Sequence, residues 1–428
     1  MTRSRQEFDL IIVGAGLAGL AATAFALESG LKTLQLGATS GEMHFASGLL
    51  DLLGIHPVEE QDRWEDPWAG IAALVRDRPE HPYARLGLEN IRSGWKEFLA
   101  ILERTGLRYS GRPERNSLVA TCTGTAKITY QVPETMWPGV IGFKKKRPGL
   151  IVDFEGMKDF SAVQLVKTIG VHWPGLRAQR LRFPYPFQGT ERQNIFMAEA
   201  LRSHKVRTAL AEAISPHLGD ARLVGMPAIL GLQQPEVVAA DLEGLLGVPV
   251  FEIPTMPPSV PGLRLKQAIE QEIMREDAVL LYGRRAVGAN SDGRRFVSLV
   301  LEAGRSQETL KARGMVLATG RFLGGGLAAS RRGIRETLLD LPVHQPRRRQ
   351  DFHRRRFLDP RGHPVNQAGL EVDDLFRPLG NNGKAAYENI FAAGSILAHQ
   401  DWKRMKCGAG LAIATAYGAV KSFIRASG

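Results

Sequence analysis

The chain contains little cysteine, with Cys122 and Cys407 as the two examples among its 428 residues. Two thiols cannot make a disulfide framework, and this scarcity is typical of proteins from a reducing compartment. An iron–sulfur cluster held by this chain alone is excluded too, because such clusters normally need four thiolates. No group of histidines and cysteines has the spacing of a zinc site either.

Long hydrophobic runs are also scarce. Residues 10–27 are almost wholly apolar and superficially resemble a signal peptide or a membrane span. Gly14, Gly16 and Gly19 interrupt this run, however, so a strand, a turn and a helix explain it better than one spanning helix. No other segment is a candidate span, and we expect any membrane contact to be peripheral.

The bulk composition is that of a globular protein, with 44% hydrophobic and 23% charged residues. At this length we expect two or three domains. The chain has 46 glycines, and many stand at the ends of apolar runs. That placement is typical of an α/β protein, whose strand-to-helix turns need residues that tolerate positive φ.

The net charge of +12 is concentrated in short basic runs at residues 144–147, 347–349 and 354–356. One interpretation is solvated loops that aid solubility. The other is docking onto anionic lipid or an acidic partner, where each basic residue contributes ~1 kcal/mol. Nucleic acid is disfavoured, because the runs lack interleaved aromatic residues and no nucleic-acid-binding motif surrounds them.

The first 36 residues form one strand–helix–strand unit in our prediction: a buried parallel strand at 8–13, a helix at 20–29 and a second strand at 32–36. Between the first strand and the helix stands Gly14-Ala-Gly16-Leu-Ala-Gly19. Gly14 permits the tight turn, Gly16 lets the backbone approach phosphate, and Gly19 allows close helix–strand packing. In this context the motif predicts a nucleotide or flavin phosphate site. A glycine turn needed only for packing is the alternative.

One part of that fingerprint is missing. A carboxylate after the second strand usually binds the ribose hydroxyls of an adenosine half. This chain has Gly37 there, and the nearest acid is Glu42. The absence weakens the case for FAD or NAD and leaves room for FMN.

Two later glycine clusters follow predicted strands. The first comprises Gly320 and residues 324–326, and the second comprises Gly394 with Ser395. Gly408 and Gly410 then open an apolar closing helix, whose N-terminus could stabilise an anionic reduced flavin. Ordinary strand-end turns are the alternative explanation.

Between these ends the pattern changes, because helical segments alternate with irregular, proline-bearing stretches. We therefore predict an α/β fold with a discontinuous Rossmann-type domain, built on a parallel sheet from residues 1–70 and 262–428. Residues 71–261 form an inserted second α+β domain that contacts a substrate or partner. The basic stretch 343–368 is predicted to be a loop.

Several motifs resemble those of a known family. The run from His44 to Leu53, H-F-A-S-G-L-L-D-L-L, is similar to the signature after the second strand in the B-subunit of anaerobic glycerol-3-phosphate dehydrogenases. Further similar stretches stand at 81–87, 226–228, 254–264, 332–336 and 391–395. The resemblance spans nearly the whole chain and is weakest across 100–220 and 343–368.

The resemblance implies a flavin-binding domain in the discontinuous part of the chain, with FMN as cofactor and FAD as the alternative. It also implies partners: a sister subunit that carries FAD and the substrate chemistry, and an iron–sulfur subunit that anchors the complex. Electrons would pass to menaquinone. The chain itself would be cytoplasmic and peripheral to the inner face of the membrane through these partners.

The candidate catalytic residues are His44, Arg264 and Arg335. Alcohol oxidation needs a base near the hydroxyl, and glycerol 3-phosphate needs a cation for its phosphate. His44 could be the base, could hydrogen-bond the flavin, or could simply cap a turn. The arginines could bind an anion or form surface ion pairs. Ser47 and Gly48 of the signature complete the predicted cofactor-binding set.

His399 and Lys403 lie near the last glycine turn, where a positive charge would favour reduced flavin. Three functions remain open from the sequence. The first is a flavin-bound electron-transfer or dehydrogenase subunit. The others are a self-sufficient FAD-dependent oxidoreductase and a flavin-free structural adaptor, which Gly37 motivates.

Overall fold

The computed structural model describes residues 7–185, 193–276, 278–303 and 306–427. The predicted domain ranges 1–70, 71–261 and 262–428 include residues 1–6, 186–192, 277, 304–305 and 428, which lie outside the described residues. The chain divides into two compact units. The first comprises the described parts of Met1–Glu42, Asp51–Thr105 and Ala268–Gly428, and the second those of Met43–Leu50 and Gly106–Gln267.

The α-helices are α1 Leu17–Glu28, α2 Pro67–Asp77, α3 Leu88–Arg104, α4 Trp137–Lys145, α5 Ala162–Ile169, α6 Asn194–Ala200, α7 His204–Ile214, α8 Pro235–Leu246, α9 Val260–Arg275, α10 Trp402–Met405 and α11 Gly408–Ser427. The strands are β1 Glu7–Val13, β2 Thr33–Gly37, β3 Tyr109–Ser110, β4 Ser117–Ala120, β5 Ala126–Thr129, β6 Val132–Pro133, β7 Gly149–Phe154, β8 Leu176–Leu181, β9 Val224–Pro227, β10 Val250–Ile253, β11 Val279–Tyr282, β12 Ala286–Asp292, β13 Arg295–Ala303, β14 Ser306–Leu317, β15 Leu327–Ser330, β16 Gly333–Glu336 and β17 Ile390–Ala392.

The predicted opening unit is confirmed as β1, α1 and β2. β1 pairs in parallel with β2, and its apolar second half is completely buried, as expected for a parallel strand covered on both faces. Residues 18–26 of α1 are buried throughout, so this helix lies inside the unit rather than on its surface.

The main sheet of the first unit has the strand order β11-β2-β1-β14-β13-β12, and β17 also pairs with β14. β14 has two roles along its length. Its first half forms an antiparallel pair with β13, while its second half lies in parallel between β1 and β17. Early, middle and late segments of the chain thus meet in one sheet, which confirms the predicted discontinuous α/β architecture.

The domain boundaries differ from the predicted ones. Residues 71–105 belong to the first unit, because α3 packs against α1 and α11. The Phe25 and Phe98 rings are 6.4 Å apart, and Phe25 lies 5.4 Å from Tyr417. Conversely, residues 43–50 belong to the second unit, which extends to residue 267 rather than 261.

The second unit contains a four-stranded sheet of order β10-β9-β7-β8, and all its pairs are parallel. The larger of its two clusters of buried apolar side chains includes Trp173 and Phe251, whose rings stack 6.0 Å apart. This inserted unit is more regular than its proline-bearing sequence indicates: β7, β9 and β10 are completely buried, and β8 at the edge of the sheet is partly exposed.

The stretch 343–368 is a loop, as predicted, and its described backbone contains two short 3-10 turns, Arg349–Asp351 and Pro364–Gln367. Some of its basic side chains form ion pairs or hydrogen bonds with other groups of the same loop. Arg348 pairs with Asp351 at 2.8 Å, and Arg354 donates to the carbonyl of Gly362 at 3.1 Å. Within the described ranges, none of the helices has the length and apolarity that crossing a membrane requires.

Candidate functional site

The glycine turn between β1 and α1 is tightly enclosed on one side. Gly14 has φ +140, and a Cβ atom added there would stand 2.0 Å from the carbonyl oxygen of Ala318. A Cβ at Gly19 would stand 2.1 Å from the carbonyl oxygen of Gly14. Side chains at both positions would therefore collide with backbone, which accounts for these two glycines by packing.

Gly16 differs from its neighbours, because nothing lies within 4 Å of a Cβ atom added there. It is the N-cap of α1, no side chain caps this helix, and its first turn carries no acidic residue. The positive end of the helix dipole is therefore not compensated by a capping side chain or by an acid in the first turn. Open space at a helix N-terminus is what an anionic phosphate needs, so packing does not explain Gly16.

The ends of β14 and β17 adjoin this turn. Gly394 has φ +79, and its Cβ would stand 2.5 Å from that of Ala18 at the start of α1. Gly320 has φ +70 and lies near the Ser395 hydroxyl, which is 3.8 Å from its Cβ position. The structure thus brings Gly14, Gly320, Gly394 and Ser395 together around one helix N-terminus.

Two features of this region fit a flavin. The open space at Gly16 can admit phosphate, and the buried Oγ1 of Thr319 has no hydrogen-bond partner among the described residues. A buried polar atom without a partner is costly, and a bound polar group could supply one. We conclude that the residues present fit the phosphate-bearing part of a flavin.

The end of β2 cannot carry a carboxylate in this backbone. A Cβ at Gly37 would stand 2.7 Å from both the Cβ of Ala15 and the carbonyl oxygen of Thr39. The absence of an acid here thus has a steric cause. The nearest acid, Glu42, has its Oε1 atom 3.2 Å from the Cβ position of Gly324.

The glycines at the start of α11 are explained by packing. A Cβ at Gly410 would stand 2.3 Å from the Tyr83 hydroxyl, and one at Gly408 would stand 3.1 Å from the Trp402 ring. The Gly410 N–H donates to the carbonyl of Asp51 at 2.7 Å. Contact of this helix start with a cofactor stays a prediction.

The signature residues His44, Ser47 and Gly48 lie in the second unit. The His44 ring stacks obliquely on Phe45, with ring centroids 3.9 Å apart. Gly48 has φ +75, and its Cβ would stand 2.4 Å from that of Pro261. The His44 carbonyl accepts from the N–H of Ser259 at 2.8 Å. The turn is therefore fixed against the start of α9, and the predicted roles of its residues stay predictions.

Arg264 has a different environment from the one predicted. It is 3% exposed, and its guanidinium donates to both carboxylate oxygens of Glu252, at 2.6 and 2.7 Å, and to the carbonyl of Gly231. A buried pair of this kind is structural, because its charges already neutralise each other. The guanidinium of Arg264 is thus engaged by Glu252 and Gly231 in this structure, and its binding of a substrate anion stays a prediction.

Arg335 is exposed on β16, which forms a hairpin with β15 in the first unit. Its neighbour Glu336 is buried and accepts from the N–H groups of Leu338 and Leu339 at 2.8 and 2.7 Å. Glu336 therefore fixes the backbone, while Arg335 remains accessible. Substrate binding by Arg335 stays a prediction.

A pocket in the first unit was not predicted. Its polar lining is formed by His56, Glu59, Arg78, His81, Arg361, Gln367, His399 and Asp401. His81 is fully buried; its Nδ1 accepts from the Tyr83 N–H at 3.1 Å, and its Nε2 has no hydrogen-bond partner among the described residues. Burial above all, with nearby positive charge, lowers the pKa of His81 to about 3. The neutral ring thus presents an N–H donor at Nε2. In the sequence, the only indication of this residue was the stretch 81–87, which resembles the family motif.

Comparisons with known proteins place the chain in a family. The model of the FAD binding domain family matches residues 9–411. The chain is 29% identical to the B-subunit of anaerobic glycerol-3-phosphate dehydrogenase from Vibrio cholerae, over 98% of this chain and 97% of that protein. It is 30% identical to a Halobacterium salinarum protein named as a probable B-subunit of the same dehydrogenase, over 96% and 97% of the two chains.

Among solved structures, 3-ketosteroid delta1-dehydrogenase from Sterolibacterium denitrificans is 11% identical with a TM-score of 0.47, covering 98% of this chain and 99% of that one. Similarity at that level bears on neither substrate nor mechanism. The family match and the two relatives span almost the whole chain. It is a flavin-dependent oxidoreductase of the FAD binding domain family and belongs to the B-subunit family of anaerobic glycerol-3-phosphate dehydrogenases.

Proposed function

We propose that this chain is the flavin-binding subunit of a glycerol-3-phosphate:quinone oxidoreductase and relays electrons from glycerol 3-phosphate oxidation toward menaquinone. The observation that carries the proposal is the 30% identity over 96% of the chain to a relative named as the probable B-subunit of such a dehydrogenase. The substrate comes from the names of the relatives, and the quinone acceptor comes from the family resemblance.

The first unit supplies the proposed cofactor site. The open backbone at Gly16 and the N-terminus of α1 bind the phosphate. Gly14, Gly320 and Gly394 keep side chains out of the same region, and Ser395 offers a hydroxyl beside it. A bound flavin supplies the redox chemistry, accepting a pair of electrons and releasing them one at a time.

The cysteine content supports a division of labour between subunits. Cys407 is buried and Cys122 is half-buried, and burial raises the pKa of both thiols. Neither cysteine is therefore prepared to act as a thiolate ligand, and an iron–sulfur cluster needs about four. We propose that a partner subunit holds the iron–sulfur centres and anchors the complex to the membrane, and that a second partner carries FAD and oxidises the substrate.

FMN is the proposed cofactor, and the end of β2 supports this choice. An adenosine ribose is normally bound by a carboxylate at that point. Here the residue is Gly37, and a Cβ atom added to it would stand 2.7 Å from the Cβ atom of Ala15. Without that carboxylate, FMN retains its binding group at Gly16, whereas the adenosine half of FAD loses a principal ligand.

The test is the identity of the flavin. The chain is purified with its partner subunits, each subunit is separated, and acid-released cofactor is identified by chromatography. FMN from this chain supports the proposal. FAD from this chain, with glycerol 3-phosphate oxidation by the isolated chain, would replace it with a self-sufficient FAD-dependent oxidoreductase.

A second measurement separates a relay from an adaptor. In the complex, the flavin of this subunit is expected to be reduced after glycerol 3-phosphate is added and reoxidised after a quinone is added. A complex that turns over normally with no flavin in this chain would contradict the proposal and identify a structural adaptor.

A further inference from the structure

Three potential metal ligands converge in the first unit outside the glycine turns. They are His344, Glu371 and His399, and their ligand atoms all lie within 4.8 Å of one another. The Glu371 Oε1 atom lies 2.7 Å from Nε2 of His399 and 3.7 Å from Nδ1 of His344. The two imidazole rings have centroids 4.1 Å apart and are tilted against each other by 48°. Within the described ranges, this is the sole cluster of such ligands.

Backbone hydrogen bonds fix the three segments that carry these side chains. His344 and Gly369 exchange N–H to carbonyl bonds of 2.8 and 3.2 Å. The N–H of His399 donates to the carbonyl of Gln367 at 3.0 Å, and that of Ala398 donates to Leu370 at 2.9 Å. Each histidine is therefore tied to the short segment that precedes Glu371, and the ligands meet through the fold rather than by chance side-chain rotation.

The backbone of His399 also bears on the cluster. Its φ is +63, a left-handed conformation that is uncommon for residues other than glycine. The surrounding hydrogen bonds maintain this conformation, and the ring then reaches Glu371. Strained residues of this kind cluster at functional sites.

We propose that His344, Glu371 and His399 bind a divalent first-row transition metal such as Zn²⁺, with water completing the coordination. Two imidazoles and one carboxylate form a donor set that such ions favour. At metal–ligand distances of ~2.0–2.2 Å, tetrahedral ligands stand roughly 3.4 Å apart. The observed separations of 2.7 and 3.7 Å bracket that value, and all three ligand atoms lie within 4.8 Å of one another.

The charges of the cluster also suit a cation. Glu371 contributes a negative charge between the two rings. A bound ion would link the segments that carry His344, Glu371 and His399, and its expected role is to stabilise this irregular region.

The experiment measures Zn²⁺ binding to the untagged, chelator-treated full chain by isothermal titration calorimetry, with thermal unfolding followed in parallel. One Zn²⁺ per chain is expected, together with a rise in the unfolding midpoint. His344→Ala with His399→Ala should weaken binding at least about tenfold and remove that rise, because losing even a group that only hydrogen-bonds a metal ligand costs about 10–100-fold in affinity. His344 is half-exposed, so its single variant tests the site with little effect on folding.

The matched control is His204→Ala. Nδ1 of His204 lies 2.9 Å from the Asp241 carboxylate in the second unit, which reproduces a histidine–carboxylate pair without a third ligand. This variant should bind Zn²⁺ like the unmodified chain. No saturable Zn²⁺ binding, or equal binding after His344 and His399 are replaced, would overturn the proposal. Flavin content is measured alongside and does not decide the result.

Discussion

The carbonyl oxygen of Ala318 lies 2.0 Å from the position that a Cβ atom of Gly14 would occupy. Two residues further along, a Cβ atom at Gly16 would meet nothing within 4 Å. The packing of the protein therefore requires glycine at position 14, whereas it leaves room for a side chain at position 16.

This difference gives the first prediction. Gly16→Val should leave the unfolding midpoint nearly unchanged and abolish flavin retention, because the side chain fills the space that a phosphate would use. Absorbance of the purified variant near the flavin bands, with a thermal melt, measures both. Gly244→Val, at another glycine with nothing within 4 Å of its Cβ position, is the control. Normal flavin content in Gly16→Val would contradict the site.

The buried pair of Arg264 and Glu252 gives a second prediction. Arg264→Met should lower the free energy of unfolding by about 3–5 kcal/mol, because it leaves an uncompensated buried carboxylate. Combining it with Glu252→Gln should recover part of that loss. Denaturant titration measures each variant. Arg202→Met, which removes an exposed pair with Glu199, should cost at most about 1 kcal/mol. An equally small effect at Arg264 would refute a structural role.

His81 predicts a pH dependence of stability. Its pKa is lowered to about 3 in the folded chain, whereas in the unfolded chain it is near 6.5. The unfolded state thus binds more protons between these values, and the contribution of His81 to stability is lost as the pH falls below ~6.5. The loss amounts to at most about 1.4 kcal/mol per pH unit.

The measurement is the denaturation midpoint at several pH values between 7 and 4. His81→Gln should show a shallower decline than the unmodified chain, since the glutamine does not titrate. Parallel curves for His81→Gln and the unmodified chain would show that His81 is protonated without cost in the folded state.

The two thiols predict a simple labelling result. Cys407 is buried, and burial raises its pKa, while Cys122 is half-buried with a raised pKa. Reactivity follows the exposed thiolate, so a chromogenic disulfide reagent should modify at most one thiol of the native chain and both after denaturation. Cys122→Ser should remove the native reaction. Rapid reaction of both thiols in the native chain would contradict the fold around α11.

The sequence predicted the opening strand–helix–strand unit because everything that specifies it is local. The apolar run before Gly14 and the glycines after it determine both the turn and the helix start. The loop at 343–368 was predicted for the same reason, since its composition lacks a periodic apolar pattern. Local signals of this kind need no knowledge of distant partners.

The features that the sequence did not predict depend on distant contacts. The apolar face of α3 indicates burial, but the pattern does not show that Phe98 packs against Phe25 in the first unit. Arg264 stands in a specific motif, yet its burial against Glu252 follows from the sheet of the second unit. The cluster of His344 and His399 likewise arises from backbone pairing between separate segments.

The pairing of β1 with β14 has a consequence for biosynthesis. The strand that completes the Gly14 turn emerges from the ribosome only after the whole second unit has been made. Domains fold as units during synthesis, so the second unit can finish folding before β14, which pairs with β1, has been synthesised. We therefore expect nascent chains released before Ala318 to contain a folded second unit but no bound flavin. The flavin is expected to bind only late in synthesis, when most of the chain has been made.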